Sequence, residues 1–242
     1  MKLIAMILLA GTLFGQSRIP ASSRLPANSR IPVGAAPAGG VAYVSTVACN
    51  NAGGSSITTF PCNNTVTISS GQTIAVFGGW GTGTITSVTD GTNTYTSTPS
   101  CFNGVGATGQ WFYSLHPTAG TYTVTLNAAG GATYLGPMIT LLSGATALDV
   151  SSSCGATFSP TPATTIYTTA YAPEVILVGL EVTASVTVSA AAPFSADALA
   201  PNAPNIGVGH YAASAIQTSQ QAGMNFSGGG SQQVVAAVIS FK

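Results

Sequence analysis

Charge is what this sequence has least of. Only 4% of its 242 residues are Asp, Glu, Lys or Arg, against about 25% in an ordinary soluble domain. The cations are Lys2, Arg18, Arg24, Arg30 and Lys242; the anions are Asp90, Asp149, Glu174, Glu181 and Asp197. No Lys or Arg lies between Ile31 and Phe241, so that stretch sets five acids against no cation, a formal −5. Nothing in it neutralises phosphates, which argues against nucleic-acid binding by this body. Long apolar runs are missing too. Beyond the N-terminus none reaches the roughly 18 consecutive apolar residues that suggest a membrane-spanning helix. With 45% apolar residues a sizeable core is still available, and the polar exterior must come from Ser, Thr, Asn, Gln and Gly.

Catalytic constellations are equally scarce. Two His and no CxxC spacing argue against a zinc site. Glu174 and Glu181 are the acids closest in sequence, yet seven residues of regular strand set them about 23 Å apart on opposite faces. Glycosidase carboxyls need roughly 5 to 9.5 Å. His116 lies in the turn HPTAG and His210 in the strand-like GVGHYAAS. No GxSxG elbow accompanies them, and a Ser-His-Asp arrangement stays open because order along the chain is no guide to it. GVGATG at 104 to 109 spells GxGxxG but leads into a strand rather than a helix, so it reads as a Gly-rich loop. Asp90 and Asn93 offer oxygen donors in one turn, which an Asx-stabilised turn explains without calcium. The expectation is no catalytic set, no cofactor and no metal.

What is present begins with MKLIAMILLAGTLFGQS, residues 1 to 17, which reads as a secretory signal. Lys2 supplies the positive end, the apolar run Leu3 to Phe14 is too short to span a bilayer, and Gly15 and Ser17 offer cleavage positions. The expected localisation is extracellular or at the cell surface, with the periplasm open. Export makes the four cysteines readable as disulfides. Three pairings exist; Cys49 with Cys62 and Cys101 with Cys154 are expected, with free thiols or a metal site as the alternative. The first bridge closes a loop of about 15 residues, which suggests roughly 3 kcal/mol.

Residues 18 to 40 form a leader. SRIPAS, SRLPAN and SRIPVG repeat one Arg and one Pro each, and a polyproline II path puts Arg18, Arg24 and Arg30 on one face about 19 Å apart. They read as a cationic tether for an anionic envelope polymer or acidic glycan, or else as part of a plain disordered spacer.

From Val41 to Lys242 the pattern is β. TVTIS at 65 to 69 and TYTVTL at 121 to 126 alternate strictly, and QWFYSL at 110 to 115 puts Trp111, Tyr113 and Leu115 on one face. ITSVTDGTNTYT at 85 to 96 reads as a hairpin turning at Asp90 to Asn93. EVILVGLEV at 174 to 182 and QQVVAAVISFK at 232 to 242 lack alternation, as central strands covered on both faces do. AAPFSADALAPNAP at 191 to 204 is the nearest helix candidate, and its prolines confine it to about one turn. The fold expected is a single antiparallel β-sandwich, jelly-roll or elaborated Ig-like, of about 12 strands, with its best internal boundary at 151 to 163.

The strings SVTDGTNTYT, QWFYSLHPTAGTYTVTL, EVILVGLEV and VVAAVISFK together resemble a widespread group of secreted bacterial β-sandwich proteins with Ig-like modules. The resemblance covers roughly residues 41 to 242. It implies the fold and an extracellular setting, and brings no catalytic residues.

Two surface features point to binding. Trp80 in FGGWGTG is flanked by glycines at a strand end, where an indole either stacks on a sugar ring or closes a core. The T-x-T rows at Thr65 and Thr67, Thr94 and Thr96, and Thr121 to Thr125 present hydroxyls, although Thr is simply a good exposed strand residue. The function expected is a secreted non-catalytic module for adhesion, envelope association or glycan binding. The alternatives are a carbohydrate-active enzyme and a self-associating surface-layer or filament subunit, since low charge weakens self-repulsion.

Overall fold

The computed structural model describes residues 40–50, 56–104, 106–133, 135–150, 153–158, 166–183, 187–200, 205–227 and 232–242. The signal-like segment, nearly all of the leader and its Arg18, Arg24 and Arg30 lie outside these. Every regular element described is a β-strand. No helix among the described residues is long and apolar enough to cross a membrane.

In chain order the first half contains β1 (Ala42–Ala48), β2 (Ile57–Pro61), β3 (Val66–Ile68), β4 (Gln72–Trp80), β5 (Thr84–Thr89), β6 (Thr96–Ser97), β7 (Cys101–Phe102), β8 (Thr108–Ser114), β9 (Gly120–Tyr122), β10 (Thr125–Ala132) and β11 (Gly136–Ser143). The second half contains β12 (Ser153–Phe158), β13 (Glu174–Val182), β14 (Thr187–Ala190), β15 (Ser195–Ala200), β16 (Asn205–Ala213), β17 (Met224–Ser227) and β18 (Gln233–Phe241). The first half builds a six-stranded sheet in the order β1-β11-β4-β8-β6, with β7 also on β8, and a three-stranded sheet β2-β10-β5. The second builds a five-stranded sheet β12-β18-β13-β16-β15, and two pairs, β14-β17 and β3-β9, stand apart. Neighbouring strands are antiparallel throughout.

Three apolar clusters set the layers. Phe77, Trp111, Met138 and Leu142 of the six-stranded sheet meet Val175, Leu177, Val235 and Ile239 of the five-stranded one. On its other face the six-stranded sheet packs Ile74, Val76 and Ile139 against Ile85, Val88 and Leu126 of the three-stranded sheet. On the far side of the five-stranded sheet, Ile176, Val178 and Val234 meet Phe194 and Met224. Both large sheets are thus covered on both faces, which is why β13 and β18 are apolar without alternation. β13 is flanked by β16 and β18, and β18 by β12 and β13. Across the central seam Phe77 lies so close to Gly179 that a Cβ there would come within 2.3 Å of its ring, and Trp111 Nε1 donates to the Ala237 carbonyl at 3.0 Å.

Three segments differ from the sequence expectation. Residues 85 to 96 are not a hairpin: β5 pairs with β10, while β6 pairs with β8 in a different sheet. The Asp90 to Asn93 turn is therefore an arch between layers. TYTVTL is likewise split, since β9 pairs with β3 and β10 with β2 and β5. The 191 to 204 segment holds strand β15 where a helical turn was the nearest candidate.

The disulfides are Cys49–Cys62 and Cys101–Cys154, with Cα–Cα distances of 5.1 and 5.5 Å. The second joins β7, beside β8 of the six-stranded sheet, to β12, the edge of the five-stranded sheet.

Candidate ligand-binding site

At the end of β4 the chain runs Trp80-Gly81-Thr82-Gly83-Thr84 into β5. This turn and the segment around β7 enclose a cavity of about 360 Å³ lined by Trp80, Thr82, Thr84, Ser100, Phe102 and Thr108, with glycines 81, 83 and 106 completing the wall. That is the lower end of the volume range of small-molecule sites, roughly 300 to 1,000 Å³. No lining residue carries a charge.

Hydrogen bonds fix both walls. Trp80 Nε1 donates to the Gly83 carbonyl at 3.1 Å. Gly81 N donates to the Thr133 carbonyl at 2.8 Å, and Thr82 N to Thr133 Oγ1 at 2.9 Å. Gly83 has φ +88°, and a Cβ there would lie 2.9 Å from the Ala132 backbone. On the opposite wall Asn103 Oδ1 accepts from Gly106 N at 2.9 Å and Ala107 N at 3.0 Å, while Cys101 is anchored through its disulfide. Ser100 and Phe102 flank that anchored cysteine.

The two aromatics differ sharply. Trp80 is 1% exposed and belongs to the apolar cluster between the six- and three-stranded sheets; it forms the cavity's inner edge. Phe102 is 56% exposed. It sits in the turn PSCFN, outside any alternating run, so the strand pattern does not mark it. The usable signal was a large aromatic next to a disulfide cysteine in a segment of small polar residues. Thr84 and Ser100 are exposed and Thr108 is 7% exposed. Their hydroxyls carry no hydrogen bond to the described residues.

The other sequence-predicted residues lie elsewhere. Asp90 accepts from Thr92 N, Asn93 N, Asn93 Nδ2 and the Tyr95 hydroxyl at 2.7 to 3.0 Å, and Asn93 Oδ1 accepts from Thr118 N at 2.7 Å. Partial burial works to raise the Asp90 pKa, but the hydrogen bonds outweigh it and hold the carboxyl below its ordinary value. These groups staple a turn and do not line the cavity. His116 is exposed in its turn.

Glu174 and Glu181 stand on opposite faces of β13, as their odd spacing requires. Glu181 is fully buried with neither carboxyl oxygen hydrogen-bonded. Burial pushes its pKa well above the ordinary carboxyl range; the Thr108 N–H lies near the carboxyl and opposes the rise, but it does not meet hydrogen-bond geometry and leaves both oxygens unsatisfied. It sits behind the cavity wall rather than in the cavity. Glu174 faces the Thr169 and Ser240 hydroxyls and the Asp149 carboxyl; burial raises its pKa, the hydroxyls oppose the rise, and Asp149 adds to it. His210 Nδ1 meets Asp197 Oδ1 at 2.5 Å, and the Tyr43 ring stacks on the imidazole at 3.9 Å and 2°. Burial raises the Asp197 pKa against the pull of His210. Among the described residues no three His, Cys, Asp or Glu side chains gather as a metal site.

No protein-family model, no curated protein and no solved structure matches this chain.

Proposed function

We propose that the protein is an exported, non-catalytic module that acts outside the cell by binding, in adhesion, envelope association or glycan recognition, with the Trp80–Phe102 cavity as its site. The observation that carries this is Phe102, a half-exposed aromatic fixed beside a disulfide and facing unengaged hydroxyls. An exposed Phe in a rigid polar turn contributes nothing to a core and gives a partner a preorganised contact. Binding is favoured over catalysis because no lining residue is a carboxyl or an imidazole. The two disulfides fit an oxidising compartment, and the signal-like N-terminus supports export. In this reading the stacked sheets are an elaborated Ig-like or jelly-roll β-sandwich of the secreted bacterial type, and the Arg leader is a salt-sensitive tether to an anionic polymer.

The test is retention of the purified full chain on isolated cell envelopes and extracellular matrix material, with Phe102→Ala in parallel. Retention that drops in the variant supports the proposal. Retention that is absent, or equal in both proteins, sinks it.

A further inference from the structure

The cavity's chemistry narrows its ligand. Between Ile31 and Phe241 there is no Lys or Arg, and five acids lie in that span. An anionic ligand would therefore find no cation in the lining to meet it. A cationic ligand would find no carboxylate in the lining. A purely apolar ligand would cover the hydroxyls of Thr84, Ser100 and Thr108, which have no partner in the described protein, and would take them from water without replacing their hydrogen bonds. What fits is a neutral molecule with one apolar face and several hydroxyls.

We infer that the cavity takes one uncharged pyranose ring of a neutral glycan. The ring's C–H face lies on Phe102 and its hydroxyls reach Thr84, Ser100 and Thr108. The inference rests on the reading of this cavity as the protein's binding site and adds the class of ligand. About 360 Å³ suits a single ring rather than an enclosed oligosaccharide, so the rest of the polymer runs out over the open side. The negative π-face of an aromatic ring attracts the weakly positive C–H groups of a sugar. The walls are already held by Thr133, Asn103 and the Cys101–Cys154 bridge, so little ordering cost falls on binding.

The experiment is affinity electrophoresis of the full chain through gels containing dextran, a (1→3)-β-glucan, xylan or, as the anionic probe, polygalacturonate. The parent is run beside Phe102→Ala and Thr84→Val, after all three show equal thermal midpoints. At least one neutral polymer is expected to retard the parent, with affinity falling at least about tenfold in Phe102→Ala and severalfold in Thr84→Val. Retardation should be unchanged between about 0.05 and 0.5 M salt, because no ion pair is involved. Retardation by polygalacturonate that depends on Phe102, or by a neutral polymer regardless of Phe102, overturns the assignment. If no neutral polymer retards the protein while envelope material still holds it through Phe102, the sugar class is wrong and the binding site stands. If envelope retention ignores Phe102 as well, the site itself is wrong.

Discussion

The two halves of the molecule treat their acids in opposite ways. In the first half the lone acid, Asp90, lies in a surface turn and accepts four hydrogen bonds. In the second half Glu174 and Glu181 are 1% and 0% exposed, and the Asp197 carboxyl is 3% exposed. Asp90 works as an anion, and its pKa is lowered. Glu174, Glu181 and Asp197, three of the second half's four acids, sit in surroundings that favour the neutral form, and their pKa values are raised. In a chain with so little charge, the placement of these four carboxyls therefore sets the sign of their pH response.

The largest effect is expected at the disulfide that joins the halves. Cys101–Cys154 closes 53 residues of sequence separation and ties β7 to β12, whereas Cys49–Cys62 closes only 13 within the first half. Chain-entropy reasoning gives about 4 kcal/mol for the longer loop and about 3 for the shorter. Cys101→Ser/Cys154→Ser is expected to cost more in denaturant unfolding than Cys49→Ser/Cys62→Ser, and to weaken ligand retention as well, because Phe102 is next to the anchor. An equal cost with unchanged retention would mean that the longer bridge does not hold the cavity wall.

Glu181 gives the next effect. Its carboxyl is enclosed between the two large sheets without a hydrogen bond. A carboxyl whose pKa rises on folding contributes most below its unfolded value, near 4.5. That contribution is lost as pH climbs through the folded value, since the unfolded chain has then already released its proton. Glu174 and Asp197 act in the same direction. Unfolding free energy should thus fall from pH 5 to pH 8. Glu181→Met should recover about 1 to 3 kcal/mol at pH 8, the scale of an unsatisfied buried polar group, and less at pH 5. A variant that gains equally at both values would show that ionisation is not the cause.

Much of the layer logic was readable in the sequence, and the reasons differ from strand to strand. EVILVGLEV and VVAAVISF showed by their unbroken apolar character that they are covered on both faces. QTIAVFGGW and GPMITLLS are covered as completely but were not recognised, because Thr, Gly and Pro interrupt the run and close sheet approach, not polarity, put them there. Four cysteines in an export context suggested the pairing that forms. The arch at Asp90 was misread since a DG turn between alternating segments looks the same whether the strands pair or diverge into two sheets. Trp80 marked the right end of the right strand, but its indole turns inward to cap a core. The ring that faces the solvent belongs to Phe102, 22 residues further on, and only the path of β7 beside β8 brings the two together.

The smallest expected effect, and the sharpest on sign, is at Asp90. In Asp90→Asn one side-chain oxygen can still accept from the Thr92 and Asn93 amides. The new NH₂ group faces the donors Asn93 Nδ2 and Tyr95 hydroxyl, which today meet Oδ2 at 2.7 and 3.0 Å. Two hydrogen bonds are lost and the turn loosens by about 1 to 2 kcal/mol. Because the folded pKa of Asp90 lies below its ordinary value of 3.8, the native residue's advantage is whole above that value and disappears as pH falls through the folded one. The stability gap between parent and variant should therefore be constant from pH 8 to pH 5 and close toward pH 2, the reverse of the Glu181 series. Denaturant titrations at those pH values measure it directly. A gap that persists at pH 2 would mean that the carboxyl's geometry, not its charge, holds the arch, and the contrast between the halves would lose its electrostatic basis.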